Sequence, residues 1–397
     1  MTLWILAVAL AAPVLLLVAE GSCRWSIRRR SRYHVWPPRA RIEIRPDAEA
    51  FPELERRARF HVNADGERGG AVAAGEHGLY RVLAVGGSAV ECFALDQPKT
   101  WPGVLEQLLN APDRLHALGG GARRVHVGNV GHSGIGSTEL DIILERILPR
   151  YPRLDAIIIM VGASDVYHWL EEGAPPSRPS SAVPEERLFS QHPQQRFGWR
   201  PGALALVELA RRVRRTWFCH TEVKERAGAW YVAARRMRAQ AKEVLTAMPD
   251  PTVVLNNFEH HFRRLVGRAK AHADQVLVVL QPWFEGPYRA EETVRFWHGG
   301  VGRPWKETVT VYYDLETVNR LLGFVQARAA EVADALGVPH LNVLPLLTQR
   351  FRHFYDHDHY TPAGAAVVAH AIAAVLGVGR ADPSSSRQLR KRSAALR

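Results

Sequence analysis

Ala156-Ile157-Ile158-Ile159-Met160-Val161 is apolar at every position and stops abruptly at Gly162-Ala163-Ser164-Asp165. A strand with no polar face must be covered on both sides, which points to a parallel sheet between layers of helix. Arg81-Val82-Leu83-Ala84-Val85 ends in the same way at Gly86-Gly87-Ser88. Val125-His126-Val127 opens into a Gly-rich loop through Gly134, and Val276 to Leu280 runs into Gln281-Pro282-Trp283. Pro339 to Leu346 reads as a last short strand, and Val318 to Leu336 as a helix. This alternation predicts an α/β fold, a three-layer sandwich whose central, mainly parallel sheet is flanked by helices. Small-residue loops then gather along the carboxyl edge of the sheet, where such folds build their sites.

Near the C-terminus the chain reads Asp356-His357-Asp358-His359-Tyr360-Thr361-Pro362-Ala363-Gly364. Thr361 is a good helix N-cap and Pro362 suits the first turn, so the apolar run through Leu376 forms a helix. Asp356 and His359 thus sit in a loop held at the start of a rigid element. An imidazole with a carboxylate to fix its tautomer and stabilise its charged form is the arrangement a general base needs. The matching nucleophile is Ser88, whose hydroxyl and N–H are left open where the glycines turn the chain at a strand end. A lone Gly-Gly-Ser is most often an ordinary turn. Its place on a strand end, with Asp-x-x-His far downstream, gives it weight.

In these segments the chain resembles the SGNH (GDSL-type) hydrolase family. Gly86-Gly87-Ser88 matches the first motif in its Gly-Gly-Ser form, and Thr100-Trp101-Pro102 continues in family register. Gly131 falls on the second motif's glycine, Gly162-Ala163-Ser164-Asp165 on the third motif, and Asp356 with His359 on the last, followed by Thr361 and Gly364. The resemblance spans roughly Arg81 to Gly377 and implies a flavodoxin-like sheet. It also implies a catalytic set of Ser88, Asp356 and His359, and an oxyanion hole of Ser88, Gly131 and Ser164. The activity implied is cleavage of carboxylic esters through an acyl-enzyme. Transfer of the acyl group to an envelope polysaccharide, or a weakly active binding module on the same fold, are the alternatives. One departure stands out: the family's third-motif asparagine, an amide donor, is here Ser164. A hydroxyl is a shorter donor that rotates freely.

The chain has 397 residues, 47% of them hydrophobic, enough for one large domain or two modest ones. The reading divides it into an apolar segment over 1–22, a basic juxtamembrane and linker region over 23–78, a hydrolase domain over 79–379 with an insertion around 166–270, and a basic disordered tail over 380–397. Leu3 through Ala19 is apolar, interrupted by Pro13, and is expected to be a single-pass membrane anchor. The arginines behind it (Arg24, Arg28, Arg29, Arg30 and Arg32) place the following domain on the cytoplasmic side by the positive-inside rule, whereas related enzymes are often exported. The net charge of +12 is concentrated in those arginines, in Arg211, Arg212, Arg214 and Arg215, and in the tail. Anionic lipid is the expected partner of these clusters, since no nucleic-acid recognition motif accompanies them. The other expected partner is a small-molecule or glycan ester.

Cys23, Cys92 and Cys219 form no disulfide framework and have no metal-ligand spacing. Cys92 reads as a small buried apolar residue. His357 and Asp358 find no third ligand nearby in sequence, so no metal and no cofactor are expected. Glu259-His260-His261 reads as a solvated helical face, and 231–248 as a solvated outer helix. Thr138-x-x-Asp141 reads as a helix cap. His132 and His168 flank site loops, and Asp165 is expected to bond loop N–H groups and so hold Ser164.

Overall fold

The computed structural model describes residues 2–376 except 31, 74, 120, 178–182, 184, 191–203, 219 and 349. Cys219 and the basic tail lie outside the described residues. Five strands form the central sheet: β1 (Leu79–Gly86), β2 (Arg124–Asn129), β3 (Leu154–Met160), β4 (Ala273–Leu280) and β5 (His340–Asn342). They lie in the order β2-β1-β3-β4-β5, and every neighbouring pair is parallel. The chain winds outward from β1 in both directions, so the order reverses between β1 and β3. A crevice opens at such a reversal, outside the carboxyl ends of the two strands. Register brings Gly86 opposite Met160, so β1 and β3 finish level at that crevice.

The helices used below are α1 (Thr2–Arg30), α2 (Ser88–Glu91), α3 (Trp101–Leu109), α4 (Ser137–Ile147), α5 (Ala163–Glu171), α6 (Ala205–Trp217), α7 (Thr252–His272), α8 (Leu315–Ala335) and α9 (Pro362–Val375). Side chains alternate across a strand, and here both faces are apolar. Leu83, Val85, Ile157, Ile159 and Val278 pack with Leu140 and Leu144 of α4, Phe262 and Leu265 of α7 and Val325 of α8. Val82, Ala84, Ile158, Met160 and Val279 pack on the other side with Leu105 of α3 and Val368 and Ile372 of α9. Full burial of each such side chain contributes about 1.5–3 kcal/mol, which is why the uninterrupted apolar runs form strands.

The expected N-terminal membrane helix is corrected by the structure. Among the described residues, no helix is long and apolar enough to cross a membrane. The apolar run reaches only from Leu3 to Ala19, short of the roughly 20 residues a span requires, and it contains Pro13. The same helix then continues through Glu20, Arg24 and Arg28. Glu20 is buried and accepts hydrogen bonds from the Ala205 and Leu206 N–H groups at the start of α6, at 2.8 and 3.0 Å. That end of α1 is therefore docked on protein through a carboxylate. The expected single-pass location, and membrane contact through this helix, are withdrawn with it.

Three local readings also change. The segment 231–248 is not one helix: Trp230–Ala239 is helical, and Glu243–Leu245 is a strand paired with Val311–Tyr313. His261 is not solvated; α7 packs on α4, leaving His261 8% exposed with Nδ1 3.4 Å from Asp141 Oδ2. Helix α4 starts at Ser137, ahead of Thr138, with Gly136 as its N-cap residue. Glycine offers no capping side chain, and Asp165 supplies the acceptor from across the crevice. Within 23–78, Arg41–Pro46 is the middle strand of a small sheet, paired with Ala58–His61 on one side and Thr221–Ala227 on the other, around a small core of Ile42, Ile44 and Phe60.

Candidate active site

The turn after β1 is fixed by close backbone approach. A Cβ at Gly86 would lie 2.1 Å from the Met160 carbonyl oxygen, so only glycine fits where β1 and β3 end together. The chain then enters α2, with the Val90 and Glu91 N–H groups bonded to the Gly87 carbonyl at 3.0 Å. Ser88 is the first residue of this turn and is half-buried. On the neighbouring strand the Val130 N–H bonds the Ala84 carbonyl and the His132 N–H the Gly86 carbonyl, so the loop after β2 runs on beside β1. Gly131 lies in this loop against α2; a Cβ there would stand 2.4 Å from the Glu91 nitrogen. Ser164 enters from the third strand end. Its hydroxyl would lie 3.5 Å from a Cβ at Gly87, beside the residue that precedes Ser88. The structure thus gathers Ser88, Gly131 and Ser164 at one crevice.

Asp356 and His359 occupy a closed loop. Phe354 and Tyr360 form an antiparallel bridge, and the Tyr355 N–H donates to the His359 carbonyl at 3.0 Å. Inside it, Asp356 Oδ1 accepts from the Asp358 and His359 N–H groups at 3.1 and 3.0 Å. Both Asp356 oxygens lie 2.8 Å from His359 Nδ1. The loop then passes into α9, where Thr361 Oγ1 accepts from the Gly364 N–H at 3.3 Å. A carboxylate can bond only a protonated ring nitrogen, so Nδ1 carries the proton and the neutral ring keeps its lone pair on Nε2. Among the described residues, no hydrogen bond joins Ser88 Oγ to His359. Such contacts commonly tighten only when substrate is bound.

Burial opposes a charged His359 ring, but the neighbouring Asp356 and Asp358 carboxylates outweigh it and raise the imidazole to about 9. Burial likewise opposes an ionised Asp356, yet His359 and the loop N–H groups hold that carboxyl well below its usual range. Glu91, at the end of α2, also raises His359, which places the Ser88 turn within the electrostatic reach of the imidazole. Asp165 accepts from the Ser137 N–H and hydroxyl, tying the start of α5 to the start of α4. Burial pushes its carboxyl up to about 7.

Four residues at this site escaped the sequence reading. Asn129 donates to the Val90 carbonyl at 2.7 Å and accepts from the Gly131 N–H at 2.8 Å, so it couples the α2 turn to the Gly131 loop. Arg68 is buried and donates to the carbonyls of Glu91, Cys92 and Leu95, clamping the chain that leaves α2. Trp36 donates to the Gly131 carbonyl and stacks on His132. His298 lies beside the Asp356–His359 loop, with Nε2 3.2 Å from Asp358 Oδ1. His298, Asp356, Asp358 and His359 are the described residues placed to hold a metal ion. His168 is half-buried, and burial lowers its basicity. Cys92 is buried, and burial pushes its thiol up to about 12. A cavity of about 300 Å³ lies apart from the Asp356–His359 loop, lined by residues that include Arg59, Arg68, Gln97 and Glu106.

No protein-family model matches the chain, and no curated protein matches it. Among solved structures it is similar to Axe2, an acetylxylan esterase from Geobacillus stearothermophilus, at 13% identity and a TM-score of 0.39, over 78% of this chain and 96% of that one. It is similar to LAE5, an alpha/beta hydrolase enzyme from the metagenome of Lake Arreo, at 15% identity and a TM-score of 0.40, over 77% and 97%. A member of the lipolytic protein G-D-S-L family from Veillonella parvula gives 8% identity and a TM-score of 0.39, over 75% and 98%. Likeness at this level assigns no activity to the chain.

Proposed function

We propose that the chain is an SGNH-type serine hydrolase that cleaves carboxylic esters through an acyl-enzyme on Ser88. One observation carries the reading: Asp356 and His359 are locked together at 2.8 Å in a closed loop. In the proposed reaction Ser88 Oγ attacks the ester carbonyl while His359 Nε2 takes its proton. Asp356 holds the ring and stabilises the imidazolium. As the tetrahedral intermediate collapses, the C–O bond to the alcohol breaks and His359 returns the proton to the leaving oxygen. Water then attacks the acyl-enzyme, with His359 again as base, and releases the carboxylic acid and free Ser88.

The developing oxyanion is assigned to the Ser88 N–H, the Ser164 hydroxyl and the Gly131 N–H. The last already donates to Asn129 Oδ1 and must be shared with the oxyanion. Replacing an amide donor by the hydroxyl of Ser164 reduces preorganisation, where one donor is worth on the order of 3 kcal/mol. The substrate is proposed to be an ester of a small molecule or a glycan. A fluorophosphonate probe should label Ser88, and p-nitrophenyl esters of graded chain length should be turned over. Intact protein that remains unlabelled at Ser88 would refute the assignment.

A further inference from the structure

The Asp356–His359 loop meets a histidine from a distant part of the chain. Of the four side chains that converge there, Asp356 and His359 bond each other, while His298 and one oxygen of Asp358 are left without aligned partners. His298 is 2% exposed, yet neither ring nitrogen has an aligned hydrogen-bond partner among the described residues. The buried Asp358 Oδ1 has none either, although His298 Nε2 and His359 Nδ1 each lie 3.2 Å from it. His357, between the two aspartates in sequence, is different. Its Nδ1 meets the Tyr167 hydroxyl at 2.8 Å and its Nε2 meets Asn319 Oδ1 at 3.0 Å, so both nitrogens are occupied.

One ligand atom each from His298, Asp356, Asp358 and His359 lies within 4.8 Å of the others. Ligands about 2.0–2.2 Å from a tetrahedral zinc stand roughly 3.3–3.5 Å apart. Three of the separations, 2.8, 3.2 and 3.2 Å, lie near that spacing, and the remaining pairs are within 4.8 Å. Two imidazole nitrogens and two carboxylate oxygens make a donor set suited to a borderline divalent cation.

We propose that His298, Asp356, Asp358 and His359 form a divalent-cation site of the zinc class, and that an ion bound there silences the hydrolase. The ion would take the Nδ1 lone pair of His359. The proton on Nδ1 would be displaced, to solvent from a charged ring or to Nε2 in a neutral one, and in either case Nε2 is left as an N–H with no lone pair for the Ser88 proton. The silencing, though not the binding, rests on the reading of Asp356 and His359 as the catalytic pair.

The test uses the full chain, freed of metal by a chelator and titrated with ZnCl2 in a calorimeter, with ester turnover followed in parallel. One saturable site per chain is expected. Turnover should fall with the same midpoint and return on adding EDTA. Affinity should drop at least tenfold in His298→Gln and in Asp358→Asn. Co2+ added to the native chain should give the visible absorption of a four-coordinate site, a readout that needs no variant to fold. Absence of saturable binding and of the cobalt bands, or affinity unchanged in both variants, overturns the site. Binding that leaves turnover intact overturns the silencing. Ser88→Ala separates the two readings: it should still bind zinc, whereas turnover retained in Ser88→Ala would defeat the catalytic assignment and leave the titration standing.

Discussion

Tyr355 lies flat against the imidazole of His359, with ring centroids 5.5 Å apart and only 5° between the planes. The phenol ring is stacked on the imidazole with an offset, and the hairpin that pairs Tyr355 with His359 through the backbone holds the two in register. Little water is left between His359 and its two carboxylates, and charges separated by protein interact more strongly than charges separated by water. Burial by itself opposes the charged ring, and the raised basicity of His359 comes from Asp356 and Asp358, whose attraction outweighs it.

A pH profile tests that consequence. In the proposed reaction His359 can take a proton only when its ring is neutral, and its imidazole is raised from 6.5 to about 9. The kcat/KM of chelator-treated enzyme should therefore climb with pH and level off only above about 9, because removing the proton activates the base. A plateau reached by pH 7 would mean that the carboxylates do not hold the proton as the geometry implies.

Ser88→Ala and His359→Ala should each remove nearly all ester turnover, on the order of 10³-fold or more, and the double variant should be little worse than either. Residues that act as one unit lose their effect together. Asp356→Ala should cost less than either single change. Steady-state kinetics on the three single variants and the double variant check this. Strict multiplication of the two single losses would show that Ser88 and His359 act independently.

Much of this site was legible in sequence because its parts are local. Gly86-Gly87-Ser88, Gly162 to Asp165 and Asp356 to His359 each sit at the end or start of one element, so a short window contains the turn, the cap and the reactive group. Asn129, Arg68 and His298 were not legible for the opposite reason. Each has a partner far away in sequence: Asn129 the Val90 carbonyl 39 residues earlier, Arg68 carbonyls more than 20 residues later, and His298 a carboxylate 60 residues later. Nothing in their own neighbourhoods distinguishes them from a turn arginine or a core histidine. The membrane expectation is overturned because the apolar run 3–19 leads within the same helix into Glu20, whose partners at the N-terminus of α6 lie 185 residues away and cannot be read from local hydropathy.

Asn129→Ala should lower stability by about 1–3 kcal/mol, since it leaves the Val90 carbonyl and the Gly131 N–H buried without their partner. It should also lower kcat about tenfold, because the Gly131 loop is no longer fixed to the α2 turn. Asn129→Asp keeps the acceptor for Gly131 but sets a buried carboxylate oxygen against the Val90 carbonyl, and should be at least as destabilised as Asn129→Ala. Chemical denaturation and kcat measured on the same preparations decide it. A kcat that rises in Asn129→Ala would mean that Asn129 withholds the Gly131 N–H from the oxyanion.

Ser164 tests the departure from the family pattern. Its hydroxyl stands beside Gly87, next to the Ser88 turn, and Asp165 binds the following element to α4 through Ser137. If that hydroxyl meets the oxyanion, Ser164→Ala should lower kcat about tenfold, close to 1.4 kcal/mol, and leave KM nearly unchanged. A donor that strengthens mainly in the transition state has this signature. Ser164→Asn should match or exceed the native kcat, because an amide is held by its plane where a hydroxyl turns freely. The two variants are read together with p-nitrophenyl acetate. A neutral Ser164→Ala beside an inactive Ser164→Asn would place the oxyanion on Ser88 and Gly131 alone, with the 164 side chain only filling space at the crevice.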